Sequence, residues 1–312
     1  MKEYLYILNY PPYEKELCEL EFKYLFNEEM NTKYYLTTKN INHNRSVFIR
    51  SKIDIFMRSS IFDDLVDYVK RANMTFYEFK VIYLKNEISH VPYKESIDKC
   101  KQIALPINGS VNITEPKVII VITKINDEWI LGLQHLNIEW NKHENKPYTY
   151  SYSLSLRLAR SLVNIAVGNN LSLRVVDPCC GIGTVVLEAL SMGVNIKGYD
   201  ISREVSYQAR LNLEHFGYDP FVIDKKDMHD IVEKYDVCIM DIPYGLYSNC
   251  SYEEQLNLLK SAHKFSKKLV LVTLKKMDEE LMNIGYNVEN CCEVGKNETF
   301  SMIRYVTVCR EE

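Results

Sequence analysis

Glycine is scarce in this chain. There are 11 in 312 residues, about half the usual share of ~7%. Only Gly109 and Gly132 precede residue 160, and the other nine fall between Gly168 and Gly295. A chain that spends little glycine places it where backbone geometry demands it, so the C-terminal half is where chemistry is expected. The nine cysteines include no C-x-x-C pair, and no histidine stands at zinc-ligand spacing from the adjacent pairs Cys179-Cys180 and Cys291-Cys292. That excludes a disulfide framework and a structural metal, and predicts reduced thiols in a cytoplasmic protein. No uncharged apolar run reaches the ~18 residues of a membrane span. The opening Met1-Lys2-Glu3-Tyr4 leads to a short apolar run ended by Pro11-Pro12, which is not the pattern of a signal peptide. One-signed charge is also missing: 38 basic residues face 42 acidic ones, so no global basic field marks a nucleic-acid binder.

The residues that are present describe a globular chain. Hydrophobic residues make up 46%, 23 tyrosines among them, and charged residues 26%; the length suits about two domains. Local charge departs from the average. Lys33, Lys39, Arg45, Arg50, Lys52 and Arg58 face Asp54 alone, either a solvated face or a docking surface for an anion. The front half predicts a small α+β module on an antiparallel sheet. Its strands fall near 4–8, 77–84, 118–122 and 129–133. Its helices fall over 14–26, over 61–72 with Ser60 as the cap, and over 95–104. The stretch 134–152 holds His135, Trp140, His143, Lys146, Pro147 and the alternating Tyr148, Tyr150 and Tyr152. These tyrosines pack a linker or stack bases. A helix from Ser153 or Ser155 to Gly168 follows. Strands and helices then alternate to the end, near 221–223, 237–240 and 269–274 among others, closing on strand candidates 287–294 and 301–309. This predicts an α/β fold: a Rossmann-like, doubly wound sheet of seven strands whose last hairpin is antiparallel. The expected division is 1–140, 141–152 as linker, and 153–312.

Four turns in this half carry chemistry. The stretch Asp177-Pro178-Cys179-Cys180-Gly181-Ile182-Gly183-Thr184 joins a strand to a helix, and its glycines let the backbone approach a ligand. A dinucleotide phosphate loop wants a third glycine, where Val186 stands. The loop suits an uncharged or cationic ligand end better than a pyrophosphate. Asp200-Ile201 ends the next strand, where a carboxylate can take both ribose hydroxyls. Asp227-Met228 follows the third, where a carboxylate can hold an adenine amino group. The fourth strand runs into Asp241-Ile242-Pro243-Tyr244-Gly245. An exocyclic amine is a poor nucleophile because its lone pair is delocalised into the ring. A carboxylate from Asp241 and a carbonyl from Ile242 or Pro243, both accepting from its N–H groups, pull the nitrogen toward a tetrahedral shape. Pro243 fixes the turn, and Tyr244 can stack on the base. Each turn alone is as readily an ordinary loop; their order along successive strands is what points to a site.

With these residues on the page, the chain resembles the class I S-adenosylmethionine-dependent amino-methyltransferases, whose signature is Asp/Asn-Pro-Pro-Tyr/Phe; Ile242 replaces the first proline. More narrowly, Lys146-Pro147, Arg157-Leu158-Ala159-Arg160 and Val163-Asn164-Ile165-Ala166, running into Asp177–Thr184, are similar to the THUMP-related tRNA guanine-N2 methyltransferases acting at position 10. Arg45-Ser46-Val47-Phe48-Ile49 and the stretch around Val111-Asn112-Ile113 resemble that family's front half. The resemblance implies a tRNA substrate and S-adenosylmethionine as cofactor. It implies a cofactor set of Asp177, Cys179, Gly181, Gly183, Thr184, Asp200, Ile201, Asp227 and Met228, and a catalytic set of Asp241, Pro243 and Tyr244. It also implies a ferredoxin-like, shortened THUMP-like module in front. The alternatives are a DNA adenine-N6 or protein glutamine methyltransferase, which shares the chemistry, and a non-catalytic RNA-binding relative. Cys179 and Cys180 are expected to pack, not to react.

Overall fold

A computed structural model describes residues 1–150, 153–243, 250–295 and 303–311. The chain forms two compact units, and the division is not a single cut. One comprises Met1–Asn9, Thr32–His43 and Ile49–Asn137; the other comprises Tyr10–Asn31, Asn44–Phe48 and Ile138–Glu312.

The first unit contains strands β1 (Tyr4–Leu8), β2 (Tyr34–Thr37), β3 (Ile49–Ser59), β4 (Thr75–Tyr83), β5 (Asn108–Val111), β6 (Val118–Ile125) and β7 (Glu128–Leu136). They make one sheet in the order β2-β1-β3-β7-β6-β4-β5. Alternation splits each strand between two faces. Ile120 and Ile122 of β6 join Phe79, Trp129 and Leu131 beneath two helices, Phe62–Ala72 and Tyr93–Ala104. Val121 faces the other way, with Leu5, Ile7, Ile53 and Ile130. The sheet is mixed, which corrects the antiparallel expectation: β4 runs parallel to both β5 and β6. The helix Tyr93–Ala104 lies between β4 and β5 in sequence, and a helical crossover returns the chain in the same direction. The helix after β3 begins at Phe62 with Ile61 in the cap position. Ser59, not Ser60, supplies the hydroxyl there, accepting from Ile61 N–H and donating to Asp64.

The basic stretch 33–58 is largely spent on internal contacts. Lys52 is buried against Asp54, which also takes Lys2. Arg58 lies between Glu3 and Glu128, and Lys33 faces Glu87. Arg45 belongs to the second unit, where its buried guanidinium donates to the Gly168 carbonyl at 2.6 Å. The charge run is therefore mostly internal scaffolding.

In chain order the second unit holds α1 (Lys15–Phe26), α4 (Leu156–Val167), β8 (Val175–Asp177), α5 (Thr184–Ser191), β9 (Ile196–Asp200), α6 (Arg203–His215), β10 (Ile223–Lys225) and β11 (Tyr235–Asp241), the first unit's helices being α2 and α3. Then come α7 (Tyr252–Phe265), β12 (Ser266–Thr273), α8 (Asp278–Ile284), β13 (Tyr286–Gly295) and β14 (Ile303–Glu311). The sheet order is β10-β9-β8-β11-β12-β14-β13. The first five strands are parallel, and β14 is antiparallel to both β12 and β13. Residues 221 and 222, expected at the start of a strand, lie instead in a short turn of 3-10 helix over Pro220–Val222, capped by Asp219 accepting from Phe221 N–H. Helix α4 is capped as its sequence predicts: Ser155 Oγ accepts from Leu158 N–H, and Gly168 ends it. Its buried Asn164 donates to Glu21 of α1 and to the Arg45 carbonyl, while Ser46 donates to the same glutamate. Burial raises the Glu21 carboxyl above its ordinary range, and these hydrogen bonds oppose the rise. Among the described residues, no helix is long and apolar enough to cross a membrane, and no cluster could hold a metal ion.

Candidate active site

The chain passes from β8 to β9 and β10 on one side, then returns to β11 and β12 on the other. The crevice at such a switch point opens at the carboxyl ends of the two central strands. Those ends are Asp177 and Asp241. Register pairs Val237 with Val175 and Cys238 with Val176, so Asp241 projects two residues beyond the level of Asp177.

Between them lies a cavity of about 250 Å³ lined by Tyr150, Ser153, Leu154, Asp177, Cys179, Cys180, Gly181, Ile182, Thr184, Val185 and Asp241. Gly181 and Gly183 hold positive φ, 53° and 80°, which L side chains rarely adopt. That turn aims the Gly181 N–H at Asp200 Oδ2 (3.0 Å), while Ser202 N–H donates to Oδ1 (2.9 Å). Asp200 is thereby fixed beside the loop. Asp177 accepts from Cys179 N–H at 3.3 Å. Asp227 accepts from His229 N–H at 2.9 Å, capping its own short turn. Met228 is buried with its sulfur 3.8 Å from Cys179 Sγ. Ile201 is two-thirds exposed at the rim of the strand end.

The electrostatics are those of a desolvated acidic pocket. Burial pushes the Asp177 carboxyl well above its ordinary range, and the charges of Asp241 and Asp200 add to the shift. Burial raises Asp241 to about 7, with the Arg304 charge pulling the other way. Two polar atoms in the lining are buried without a hydrogen-bond partner among the described residues: Asp241 Oδ1 and Thr184 Oγ1. Such atoms are costly unless a ligand completes them. The acceptor set fits a ligand with a cationic end and hydroxyl or amine donors, as S-adenosylmethionine has. The two cysteines fit packing, because burial raises both thiols well above their ordinary value and a protonated thiol is a poor nucleophile.

The structure thus brings Asp177, Cys179, Gly181, Thr184 and Asp241 to one cavity, with Gly183 at the head of α5 and Asp200 bonded to the loop. Pro243 lies two residues past Asp241. Tyr244 and Gly245 lie outside the described residues, as does Tyr152. Three polar residues escaped the sequence reading. Gln255 of α7 donates to the Pro243 carbonyl at 2.9 Å. Asn212 of α6, fully buried, donates to the carbonyls of Tyr148 and Ile182 and accepts from Tyr148 N–H. Glu188 of α5, also fully buried, takes His143 Nδ1 at 2.7 Å and Arg160 at 2.5 Å. Asn212 and Glu188 pin the stretch 143–150 to the elements that carry the loop. Tyr150 is held from α6, donating to Gln208 at 2.7 Å. The only sequence signal for these three was a polar residue within an apolar helical pattern.

Comparison with known proteins gives the site a class. Residues 144–282 match the family described as UPF0020, RMKL-like, methyltransferase domain. A tRNA (guanine(10)-N2)-dimethyltransferase of Methanothermobacter thermautotrophicus is 34% identical over 165 residues, 49% of this chain and 48% of that protein. A protein of the same description from Pyrococcus abyssi is 27% identical over 144 residues, 43% of each chain. The chain spans about half the length of the curated relatives it matches. Among solved structures, TrmN from Thermus thermophilus is 16% identical, with a TM-score of 0.49 over 99% of this chain and 100% of that one. Residues 144–282 are thus similar to a methyltransferase domain family, and the sheet around them is mixed and seven-stranded.

Proposed function

We propose that this chain is an S-adenosylmethionine-dependent methyltransferase acting on the exocyclic N2 of a guanosine in tRNA, with position 10 the favoured target. The observation that carries the reading is Asp241. Its carboxylate ends β11 in the cavity of the Asp177–Thr184 loop, with one oxygen buried and unpartnered among the described residues, inside a segment that matches a methyltransferase family. The substrate reading is supported by relatives matched over 144 to 165 residues, which are described as tRNA (guanine(10)-N2)-dimethyltransferases.

The bound cofactor supplies an electrophilic methyl group on a sulfonium. The chain's residues do the rest. Asp200 is set to take the ribose hydroxyls, Asp227 the adenine amine, and Asp177 favours a cationic group beside the loop. Asp241 Oδ1 accepts a hydrogen bond from the guanine N2 amine. The Pro243 carbonyl receives Gln255, and the Ile242 carbonyl is assigned the part of second acceptor. Holding the amine in line with the methyl group is positioning catalysis. Tyr244 is assigned the stacking role beside the base. We assign residues 1–140 to RNA docking and 153–312 to methyl transfer.

Labelled-methyl transfer to separate tRNA, DNA and protein pools tests the reading. Label confined to tRNA, recovered as N2-methylguanosine by mass spectrometry, is the expected result. Label in DNA or protein overturns the substrate assignment. Failure of the protein to bind S-adenosylmethionine in a calorimetric titration overturns the whole reading.

A further inference from the structure

Beside the cofactor crevice, along α6, runs a second and larger groove of about 640 Å³, lined by Arg203, Glu204, Ser206, Tyr207, Arg210 and Lys225. Arg203, Ser206, Tyr207 and Arg210 follow helical spacing on one face of α6. The opposite side of the same helix is used differently: Gln208 and Asn212 hold the stretch around Tyr148 and Tyr150. One helix therefore divides the cofactor pocket from this groove.

The groove has a chemistry of its own. Three cations face one carboxylate in its lining, in a chain whose net charge is −4. Arg210 is fixed at the base, its guanidinium donating to the Ile223 carbonyl at 2.7 Å and lying 3.3 Å from Asp224. Arg203 and Lys225 are exposed and have no carboxylate partner among the described residues. Tyr207, in the same lining, keeps 60% of its surface exposed. An exposed aromatic ring flanked by uncommitted cations matches a polynucleotide strand, which offers phosphates to the cations and a base face to the ring.

Its position matches as well. Lys225 ends β10 and pairs in register with Asp200, and Arg203 stands three residues after Asp200. Both cations therefore sit at the carboxyl edge of the sheet, the edge that carries Asp241. From β11 to β9 is two strand spacings, and to β10 three, roughly 10–15 Å. That is the reach of a few nucleotides from a base inserted at Asp241.

We propose that the α6 groove is the docking track for the single-stranded flank of the tRNA nucleotide being modified, with Arg203 and Lys225 on phosphates and Tyr207 stacked on a neighbouring base. The inference rests on the tRNA reading and adds to it a surface within the methyltransferase unit. Sequence analysis did not find it, because its cations are spread over α6 and β10 and form no run.

The test is tRNA binding by fluorescence anisotropy across a salt series, with the wild-type chain and Arg203→Ala/Lys225→Ala. The double variant is expected to bind at least about tenfold more weakly at low salt. The slope of log affinity against log salt should flatten by roughly 1.4–1.8, the value for two lost phosphate contacts. Tyr207→Ala should weaken binding by roughly tenfold with the slope unchanged. Charge-conserving Arg203→Lys/Lys225→Arg should keep the wild-type slope. S-adenosylmethionine affinity, measured on the same samples, should not move, which shows the variants to be folded. Wild-type binding that the double variant reproduces in affinity and slope overturns the groove and leaves the tRNA reading standing. A wild-type chain that binds no tRNA overturns both.

Discussion

The parallel sheet of the second unit has two edges, and they treat polar groups in opposite ways. At the amino edge, groups are closed on each other. Arg174 N–H donates to the Asp236 carboxylate, and Asp236 N–H returns the bond to the Arg174 carbonyl, each at 2.8 Å. Lys268, buried near the start of β12, donates to the carbonyls of Ile165 and Ala166 at the end of α4. At the carboxyl edge, Asp241 Oδ1 and Thr184 Oγ1 are buried and left open among the described residues. The same strands thus begin in satisfied contacts and end in unsatisfied ones. Burial alone does not separate scaffold from site; what separates them is whether the buried group has a partner within the chain.

The largest effect should come from breaking the open edge. Asp241→Ala is expected to lower the rate of methyl transfer at saturating substrates by at least about a hundredfold, with far less change in cofactor affinity. Full activity in this variant would sink the mechanism. The pH profile carries the same claim with a sign. Asp241 accepts most strongly as the carboxylate, and burial raises it to about 7. Wild-type activity should therefore rise as pH increases through about 7 and then level off. Asp241→Asn should lose that rise together with most of its rate.

Breaking the closed edge should cost stability and spare chemistry. Burial lowers the Lys268 amine to about 7, with the Arg310 charge adding to the shift. A neutral amine still has two N–H groups for its two carbonyl partners. Lys268→Met keeps much of the stem and loses both donors, so unfolding free energy should fall by roughly 2–3 kcal/mol. The sign of the pH dependence follows from linkage. Between about 7 and the ordinary lysine value the unfolded chain binds the extra proton, so wild-type stability gains as pH rises. The gap in Tm between wild type and Lys268→Met should widen from pH 7 to pH 9. Turnover per folded molecule should stay close to wild type. A large loss of turnover at unchanged Tm would erase the contrast between the edges.

How much of this was legible in the sequence follows the same division. The alternation after residue 173 was enough for the sheet, because β8, β11 and β12 are buried apolar runs bounded by turn residues. The Asp177–Thr184 loop and Asp241 were legible because chemistry at a strand end needs a few residue types in fixed order. The first unit was harder. β3 runs through Arg50, Lys52, Asp54 and Arg58, whose ion pairs hide a long strand inside what looks like a charge patch. Its parallel pairs are invisible locally, since strand direction is decided by the crossover. The buried helpers Glu188, Asn212 and Gln255 were illegible for a third reason. Each is an ordinary helical residue whose partner lies 12 to 64 positions away.

Gln255 gives the finest test, because it joins the two kinds of contact in one residue. It is a closed contact made next to the open one: its amide donates to the carbonyl of Pro243, two residues past Asp241. Removing it leaves every group that would touch substrate in place. Gln255→Ala frees the turn, and a loosened turn holds the Asp241 carboxylate and Ile242 carbonyl less well in line with the amine. The expected loss is about tenfold in kcat, with KM for cofactor little changed. Gln255→Glu is the sharper probe. It is nearly isosteric and lies on the same helix, yet above neutral pH it can only accept, and it meets a carbonyl that also only accepts. It should lose at least as much kcat as the alanine variant while its Tm stays near wild type. A glutamate variant that retained full kcat would show that the turn holds its shape without the bond.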